Sequence, residues 1–346
     1  MNSRLALRTA AVATVMGLGV TAARAAVFNE VEPNDTKPVA TPVVGMLPGD
    51  SIVGNSQGTS TVTAGATSAD YFNVSLPATT VGVYRNRLTI TSTDNHTGTI
   101  RGLGQTATGP NSVGPGLPSA TALDNTMNTS SSTTTPPRFN QFYTFGPAAS
   151  LYYRVTGATS TTNDYNVVLE RQAVTVANLG TFKPGQIEIS NTQISSTQDT
   201  EVIVYDATTG LPVPGYLNDD FLDGSITQTG GSTLNSRLVR NYAPGTYLLA
   251  ISNFNTADGQ LSPADEGTAT GTYMDFAGAM ANTSTTTFPS IPFRVIDSDG
   301  AQSFTGTKPG AFDVYFATFT VAVPEPTSLG VIGLAALGLA RRRQRA

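Results

Sequence analysis

Apolar and polar residues alternate in short runs along the middle of the chain. Strand-like runs lie at 71–76, 151–155, 201–205, 245–251 and 312–321, and many of the runs in this part of the chain alternate. A period of two is typical of strands that bury one face against a core. No window of about 11 residues between the terminal segments shows the 3.6-residue period of an amphipathic helix. The pattern therefore predicts an all-β fold.

Turn signals separate these runs. A Pro-Gly pair precedes four apolar runs, and this order favours a type II turn, because Pro presets φ and Gly accepts a positive φ. Short strands joined by such turns indicate β-sandwich or jelly-roll-like domains. We expect two of them, at 26–171 and 172–322; a single sandwich interrupted by insertions is the alternative. The four pairs are Pro48-Gly49, Pro184-Gly185, Pro244-Gly245 and Pro309-Gly310.

Composition narrows the chemistry that this chain can perform. The 346 residues include no Cys and one His, which excludes disulfides, thiol nucleophiles and His-rich metal sites. The net charge of −5 argues against nucleic-acid binding. Residues 54–58 match the G-x-S-x-G pattern of hydrolases, but a poor helix former follows them, and His96 is expected in an exposed turn. We therefore expect no enzymatic activity. The alternatives are a secreted hydrolase with an unrecognised carboxylate site and a protein-binding adhesin.

The first 25 residues contain the three parts of a secretory signal peptide. Arg4 and Arg8 precede a short apolar run, and Ala23 and Ala25 provide an A-x-A cleavage site. The apolar run is shorter than the about 20 residues that a membrane-spanning helix needs. We expect an N-terminal signal helix that takes the chain to the Sec translocon and is then removed.

The segment 323–346 combines a Pro-Glu-Pro tripeptide, an apolar run and an Arg cluster, in that order. The apolar run is short for a stable span of about 20 residues. The Arg cluster stays cytoplasmic by the positive-inside rule, so we predict an apolar helix that enters the inner membrane only transiently. The arrangement resembles the PEP-CTERM sorting signal of Gram-negative bacteria. Its motif residues are Pro324, Glu325, Pro326, Arg341, Arg342 and Arg343.

The resemblance to PEP-CTERM proteins implies a route and a destination. In that family an exosortase, a membrane cysteine peptidase, recognises the tail and cleaves it near the tripeptide. The implied location is the cell surface, outer envelope or extracellular matrix of a Gram-negative bacterium. We expect a binding or scaffolding role there, with exopolysaccharide or another surface polymer as the partner. Removal of both ends takes away seven Arg and Glu325, which changes the net charge from −5 to −11.

Two internal regions resemble the bacterial pre-peptidase C-terminal domain, which is a β-sandwich. The first has E-P-N-D at 32–35 and D-Y-F at 70–72. The second has a strand-like run at 199–206, N-D-D at 218–220 and a G-T-Y strand at 245–251. The resemblance implies two diverged sandwiches of this type.

The same resemblance implies a calcium site, because the acidic N-terminal segment supplies ligands in calcium-binding members of that family. Calcium takes six to eight oxygen ligands, which carboxylates and an Asn carbonyl provide. Thr67 and Ser68 stand where such members often have a further acidic residue. The alternative is an Asx-turn at a solvated strand entry. The matching positions are Glu30, Glu32, Asn34, Asp35 and Asp70.

Overall fold

The computed structural model of the chain is built almost entirely from β-strands. Within the residues it describes there are twenty-one strands and one short 3-10 helix, Lys37–Val39, so the all-β prediction is confirmed. In the same residues no helix has the length and apolar character needed to cross a membrane. The described residues are 25–57, 68–101, 126–127, 138–157, 162–191, 198–218, 235–253, 256–257, 278–282 and 284–324.

The two predicted terminal helices fall outside these ranges. Residues 1–24, with Ala23, and residues 325–346, with the rest of the Pro-Glu-Pro tripeptide and the Arg cluster, are not among the described residues. Most of the N-D-D segment at 218–220 is also outside them. Ala25 and Pro324, the first and last described residues, are both exposed.

Sheet I is the largest of four sheets and has seven strands. Five of them come from the first half of the chain, and two short ones come from 256–282. The outermost pair at one edge is parallel and the other pairs are antiparallel. In spatial order the strands are β1 (Val27–Asn29), β3 (Ser51–Gly54), β10 (Tyr165–Ala173), β5 (Tyr84–Ile90), β8 (Arg138–Thr144), β18 (Ala279–Asn282) and β17 (Thr256–Ala257).

Sheet II packs on one face of sheet I and completes the first sandwich. Alternate residues of its strands, such as Phe72, Val74 and Tyr153, are buried against Leu88 and Phe142 of sheet I. This is the core that the period-two pattern predicts. In spatial order the strands are β2 (Thr41–Val43), β4 (Ala69–Leu76), β9 (Ala149–Thr156), β6 (Thr97–Arg101) and β7 (Thr126–Met127).

Sheets III and IV form a second sandwich around their own core. Leu249 and Phe319 of sheet III pack against Ile189 and Phe293 of sheet IV in this core. Sheet III consists, in spatial order, of β11 (Ala177–Phe182), β21 (Tyr315–Val321), β16 (Gly245–Asn253), β13 (Thr200–Asp206) and β14 (Pro212–Asn218), and sheet IV of β15 (Arg237–Tyr242), β12 (Gly185–Ser190), β19 (Phe288–Asp297) and β20 (Gly300–Lys308).

The two sandwiches also share an apolar contact. Sheet I contributes Tyr143 and Phe145, the residue that follows β8, and sheet III contributes Tyr205, Leu248 and Phe316. The rings of Phe145 and Tyr205 lie 4.2 Å apart between centroids. The four sheets therefore stack in the order II, I, III, IV, and both inner sheets are buried on two faces.

The Pro-Gly turns agree with the type II prediction at two positions. Gly49 has φ 92° and Gly185 has φ 114°, as a type II turn requires. The prediction is wrong at Gly245, which enters β16 directly and pairs with Val321, and at Gly310; neither glycine has a left-handed φ. In the turn that follows Gly310 a different residue, Phe312, takes the left-handed backbone, with φ 63°.

Candidate metal centre

Three carboxylates converge at one end of the first sandwich. Glu30 directly follows β1, Glu32 lies two residues further on, and Asp70 is the second residue of β4. One oxygen of each lies within 4.8 Å of an oxygen of the other two. Because β1 belongs to sheet I and β4 to sheet II, this carboxylate cluster links the two sheets of the sandwich.

Glu30 is held by the edge of sheet I. Its backbone N–H donates to the Val53 carbonyl (2.9 Å), and its Oε2 accepts from the Asn55 N–H (2.6 Å) and the Tyr165 hydroxyl (3.3 Å). A Cβ at Gly54 would overlap both Glu30 Oε2 and the Tyr165 hydroxyl. The first glycine of the G-x-S-x-G match therefore makes room for this carboxylate.

Glu32 is more exposed than the other two acids and is held by the loop that follows it. Its Oε2 accepts from the Asn34 N–H (3.0 Å), and its Oε1 lies 3.2 Å from the Ser68 hydroxyl. The same hydroxyl lies 3.1 Å from Asp35 Oδ1. Ser68 stands where calcium-binding members of the resembled family often have a further acid, and here its hydroxyl helps to orient two carboxylates.

Asp35 lies apart from the carboxylate cluster. Its Oδ1 accepts from the Ala69 N–H at 3.0 Å as well as facing Ser68, so it fixes the first residue of β4. Asp35 is almost fully buried in this role. The structure therefore brings together Glu30, Glu32 and Asp70 from the predicted ligand set and gives Asp35 a positioning contact.

Asn34 borders the cluster. Its side chain is fully buried, and its Nδ2 donates to Glu30 Oε1 (3.4 Å) and to Thr41 Oγ1 (3.3 Å). Its Oδ1 is buried without a hydrogen-bond partner. Rotation of the amide by half a turn exchanges donor and acceptor, which would turn the carbonyl oxygen towards Glu30 and the cluster.

Asp70 is the electrostatically unusual member of the cluster. Its side chain is 0% exposed, and neither of its carboxylate oxygens makes a hydrogen bond of good geometry among the described residues, although Ser68 and Tyr165 lie close enough to lower its pKa. Burial, and then the charge of Glu30, raise the pKa of Asp70 to about 8. Burial also raises the pKa of Glu30, with a contribution from the charge of Glu32. A buried, unpaired carboxylate is costly, so this site either takes up a proton or needs a cation.

The single histidine is buried, which corrects the expectation of an exposed turn. His96 is 0% exposed, and its ring lies edge-on to Tyr165 at 5.2 Å between centroids. The guanidinium of Arg138 donates to the carbonyls of Ser92, Asp94 and His96 and folds this segment inward. Burial lowers the pKa of His96, which keeps the imidazole neutral.

Sequence reasoning missed the groups that position the cluster. Tyr165 and Gly54 contact Glu30, yet Tyr165 lies 135 residues away in the chain and no local pattern connects them. Ser68 gives no acidic signal in the sequence, yet its hydroxyl contacts both Glu32 and Asp35. A signal for Gly54 does exist, since a glycine that ends a strand often marks a close approach of other atoms.

The acidic segment at 297–300 forms a turn rather than a metal site. The Asp299 N–H donates to Asp297 Oδ1 (2.9 Å), and Gly300 has φ 117°, so the segment closes the hairpin of β19 and β20. Asx-turn geometry thus explains these residues without a ligand.

Comparison with known families concerns the C-terminal segment. The family model described as the PEP-CTERM protein-sorting motif matches residues 322–344. The match covers the tripeptide, the apolar run and most of the Arg cluster. No curated protein matches the chain, and the resemblance to the pre-peptidase C-terminal domain is not confirmed. The chain therefore carries a PEP-CTERM sorting motif at its C-terminal end, which supports an exported protein sorted by an exosortase to the envelope of a Gram-negative bacterium.

Proposed function

We propose that the protein acts at the cell surface as a non-enzymatic binding or scaffolding protein whose first sandwich is stiffened by calcium. The observation that carries the calcium assignment is the Asp70 carboxylate, which is fully buried and unpartnered beside Glu30 and Glu32. A divalent cation would compensate these charges, since no Lys or Arg side chain of the described residues forms an ion pair with them.

The donor set favours calcium over transition metals. Every candidate ligand offers oxygen, which hard cations prefer, and no nitrogen or sulfur ligand belongs to the cluster. Oxygens within 4.8 Å of one another fit around an ion with calcium–oxygen distances of about 2.3–2.6 Å. Glu30, Glu32 and the Asn34 side-chain carbonyl come from the segment after β1, and Asp70 comes from β4. Calcium tolerates such irregular geometry better than magnesium does.

The position of the cluster supports a mechanical role for the ion. Glu30 and Glu32 lie just after β1, a three-residue strand at the edge of sheet I, and Asp70 lies in β4 of sheet II. An ion bound by all three would tie the N-terminal segment to both sheets. A short edge strand has few hydrogen bonds of its own, so it gains most from this link.

Burial of Asp70 also supports a non-enzymatic role. Two carboxylates with raised pKa values are the arrangement expected of an acid–base pair, but a hydrolase must bring its substrate to both groups. The Asp70 side chain has no exposed surface for such contact. The partner that we propose, an exopolysaccharide of the envelope, would therefore bind elsewhere on the protein.

Thermal unfolding of the mature protein with and without calcium tests the metal assignment. We expect a higher melting temperature in millimolar calcium than in EGTA, because a ligand that binds only the folded state stabilises it. Magnesium at the same concentration should raise it less. An identical melting temperature in calcium and in EGTA would overturn the proposed calcium site.

A further inference from the structure

A cleft of about 390 Å³ lies where the two sandwiches meet. Small-molecule sites commonly occupy clefts of about 300–1,000 Å³ between domains. The rings of Tyr143 in sheet I and Phe316 in sheet III, 5.0 Å apart, form part of the lining. Arg85 of β5 and Asp313, which precedes β21, bring opposite charges to the same lining.

Asp313 is held in one position by several separate segments. Its Oδ1 accepts from Gln141 Nε2 (3.1 Å), its Oδ2 accepts from the Gly310 N–H (2.9 Å), and its carbonyl accepts from Asn282 Nδ2 (2.8 Å). The side chain is 16% exposed. A carboxylate fixed in this way is pre-organised, which lowers the entropic cost of binding a ligand.

The backbone beside Asp313 is strained. Phe312 is a non-glycine residue at φ 63°, held there by its N–H bond to the Ser284 carbonyl (2.9 Å) and by a Gln141 side chain that donates to its carbonyl (3.1 Å). Its ring also packs edge-on against Phe139. Strained backbone maintained by this many contacts is concentrated at ligand sites.

Arg85 completes the polar side of the cleft. Its Nη1 lies 3.8 Å from Asp313 Oδ1, too far for a hydrogen bond, and its Nη2 donates to Gln172. The side chain is 30% exposed. A guanidinium has five N–H donors, so Arg85 keeps donors for a ligand next to an acceptor carboxylate.

We infer that this cleft binds a neutral pyranose ring through two adjacent hydroxyls. One hydroxyl donates to Asp313 while its neighbour accepts from Arg85, and the ring's C–H face lies on the apolar part of the lining, which includes Val174, Pro309 and Tyr315. Arg85 and Asp313 balance each other's charge, and the mature chain is acidic, so an anionic ligand is disfavoured. The inference rests on the proposed binding role of the protein and assigns that role a site.

Ligand-observed saturation-transfer NMR on the mature protein tests this site. The probes are methyl β-D-glucopyranoside, methyl α-D-mannopyranoside and methyl β-D-galactopyranoside, with glycine and acetate as competitors. We expect saturation transfer to the ring protons of at least one glycoside. Arg85→Met and Asp313→Asn should each weaken binding by about tenfold or more, because each leaves a polar partner unpaired.

The exposed pair Lys183–Asp299, 3.7 Å apart in the second sandwich, provides the matched control. Lys183→Met removes a cation of a similar pair without touching the cleft, and it should bind as the wild type does. Wild-type protein that binds none of the glycosides would overturn the inference. So would glycoside binding that is unchanged in both Arg85→Met and Asp313→Asn, or displacement of the glycoside by glycine or acetate.

The outcome of the glycoside-binding test can be separated from the outcome of the calcium test. The cleft shares no residue with the carboxylate cluster, so binding measured in calcium and in EGTA separates the two. A glycoside signal in protein that does not respond to calcium would overturn only the metal proposal. A calcium response without glycoside binding would overturn only the sugar site.

Discussion

Asp70→Asn keeps the shape of the buried side chain and removes its charge. In wild-type protein without a cation, folding moves this carboxyl group from an ordinary pKa of 3.8 to about 8. The folded state therefore binds a proton at pH 7 that the unfolded chain does not bind, and stability falls as the pH rises from about 4 to about 8. At pH 7 this costs about 4 kcal/mol, since each unit of pKa shift corresponds to about 1.4 kcal/mol.

The variant should be more stable than wild type when both are free of calcium. The buried Asn amide, if unpaired, costs about 1–3 kcal/mol, which leaves a net gain of about 1–3 kcal/mol at pH 7. For a domain of this size each kcal/mol corresponds to about 2–4 °C in melting temperature. In calcium at 100 times Kd the advantage of the variant should fall by about 2.7 kcal/mol, because wild type gains that amount while the variant gains little.

Urea unfolding of both proteins at pH 7, in EGTA and in calcium, measures all four free energies. Asp299→Asn is the matched control, since it makes the same change at an exposed carboxylate of the second sandwich. The control should change neither value by more than about 0.5 kcal/mol. An Asp70→Asn variant that is less stable than wild type in EGTA would refute the charge argument. One that retains the full calcium response would refute the metal assignment.

Three further predictions follow from the same residues and from the sorting motif. Protons compete with calcium for Asp70, so the apparent calcium affinity measured by titration calorimetry should rise by about 50-fold between pH 6 and pH 8, whereas equal affinities would contradict a ligand with this pKa. Gly54→Ala should lower the free energy of unfolding by about 1–3 kcal/mol and weaken the calcium response, because the new Cβ displaces the Glu30 carboxylate; an unaltered response in calorimetry would count against the packing argument. The intact mass of the protein released from the cell surface should correspond to a C-terminus near 324–327. A mass that still includes Arg341, Arg342 and Arg343 would show that the tail is not cleaved.

Strand-like runs in the sequence correspond to observed strands, both where one face of the strand meets solvent and where both faces are buried. The runs at 71–76, 151–155 and 201–205 all lie within observed strands. The apolar pattern did not predict β8, because Arg138 and Asn140 face inward. There they donate to the backbone carbonyls of the neighbouring 92–98 segment. Buried polar residues of this kind interrupt the pattern although the strand is fully formed.

The stacking of the two sandwiches corresponds to a sequence feature other than alternation, a continuous apolar run in β16. In β16 the four consecutive residues from Leu248 to Ile251 are all apolar and buried. Leu249 and Ile251 face the core shared with sheet IV, and Leu248 and Ala250 face sheet I. A strand buried on both faces has this continuous apolar run, so a second covering layer was predictable at this strand.

The candidate metal site was likewise predictable from the sequence only in part. Glu30, Glu32 and Asp70 were candidates only through the resemblance to the pre-peptidase C-terminal domain, whereas Tyr165 contacts Glu30 through the pairing of β10 with β3. The cleft between the sandwiches could not be predicted from the sequence either. Arg85 and Asp313 are more than 200 residues apart in the chain and meet only because the sandwiches stack.

The carboxylate cluster also bears on how an exported chain without Cys is stabilised. Disulfides commonly stabilise small exported domains, and this chain has none to form. Its acidic body, at −11 after both ends are removed, adds self-repulsion to the local cost at Asp70. A cation that binds there reduces both costs, and it does so only where calcium is abundant. Extracellular calcium modules bind with Kd values of about 10⁻⁴–10⁻³ M, and we expect this site to fall in that range, so that β1 is tied down after export rather than before it.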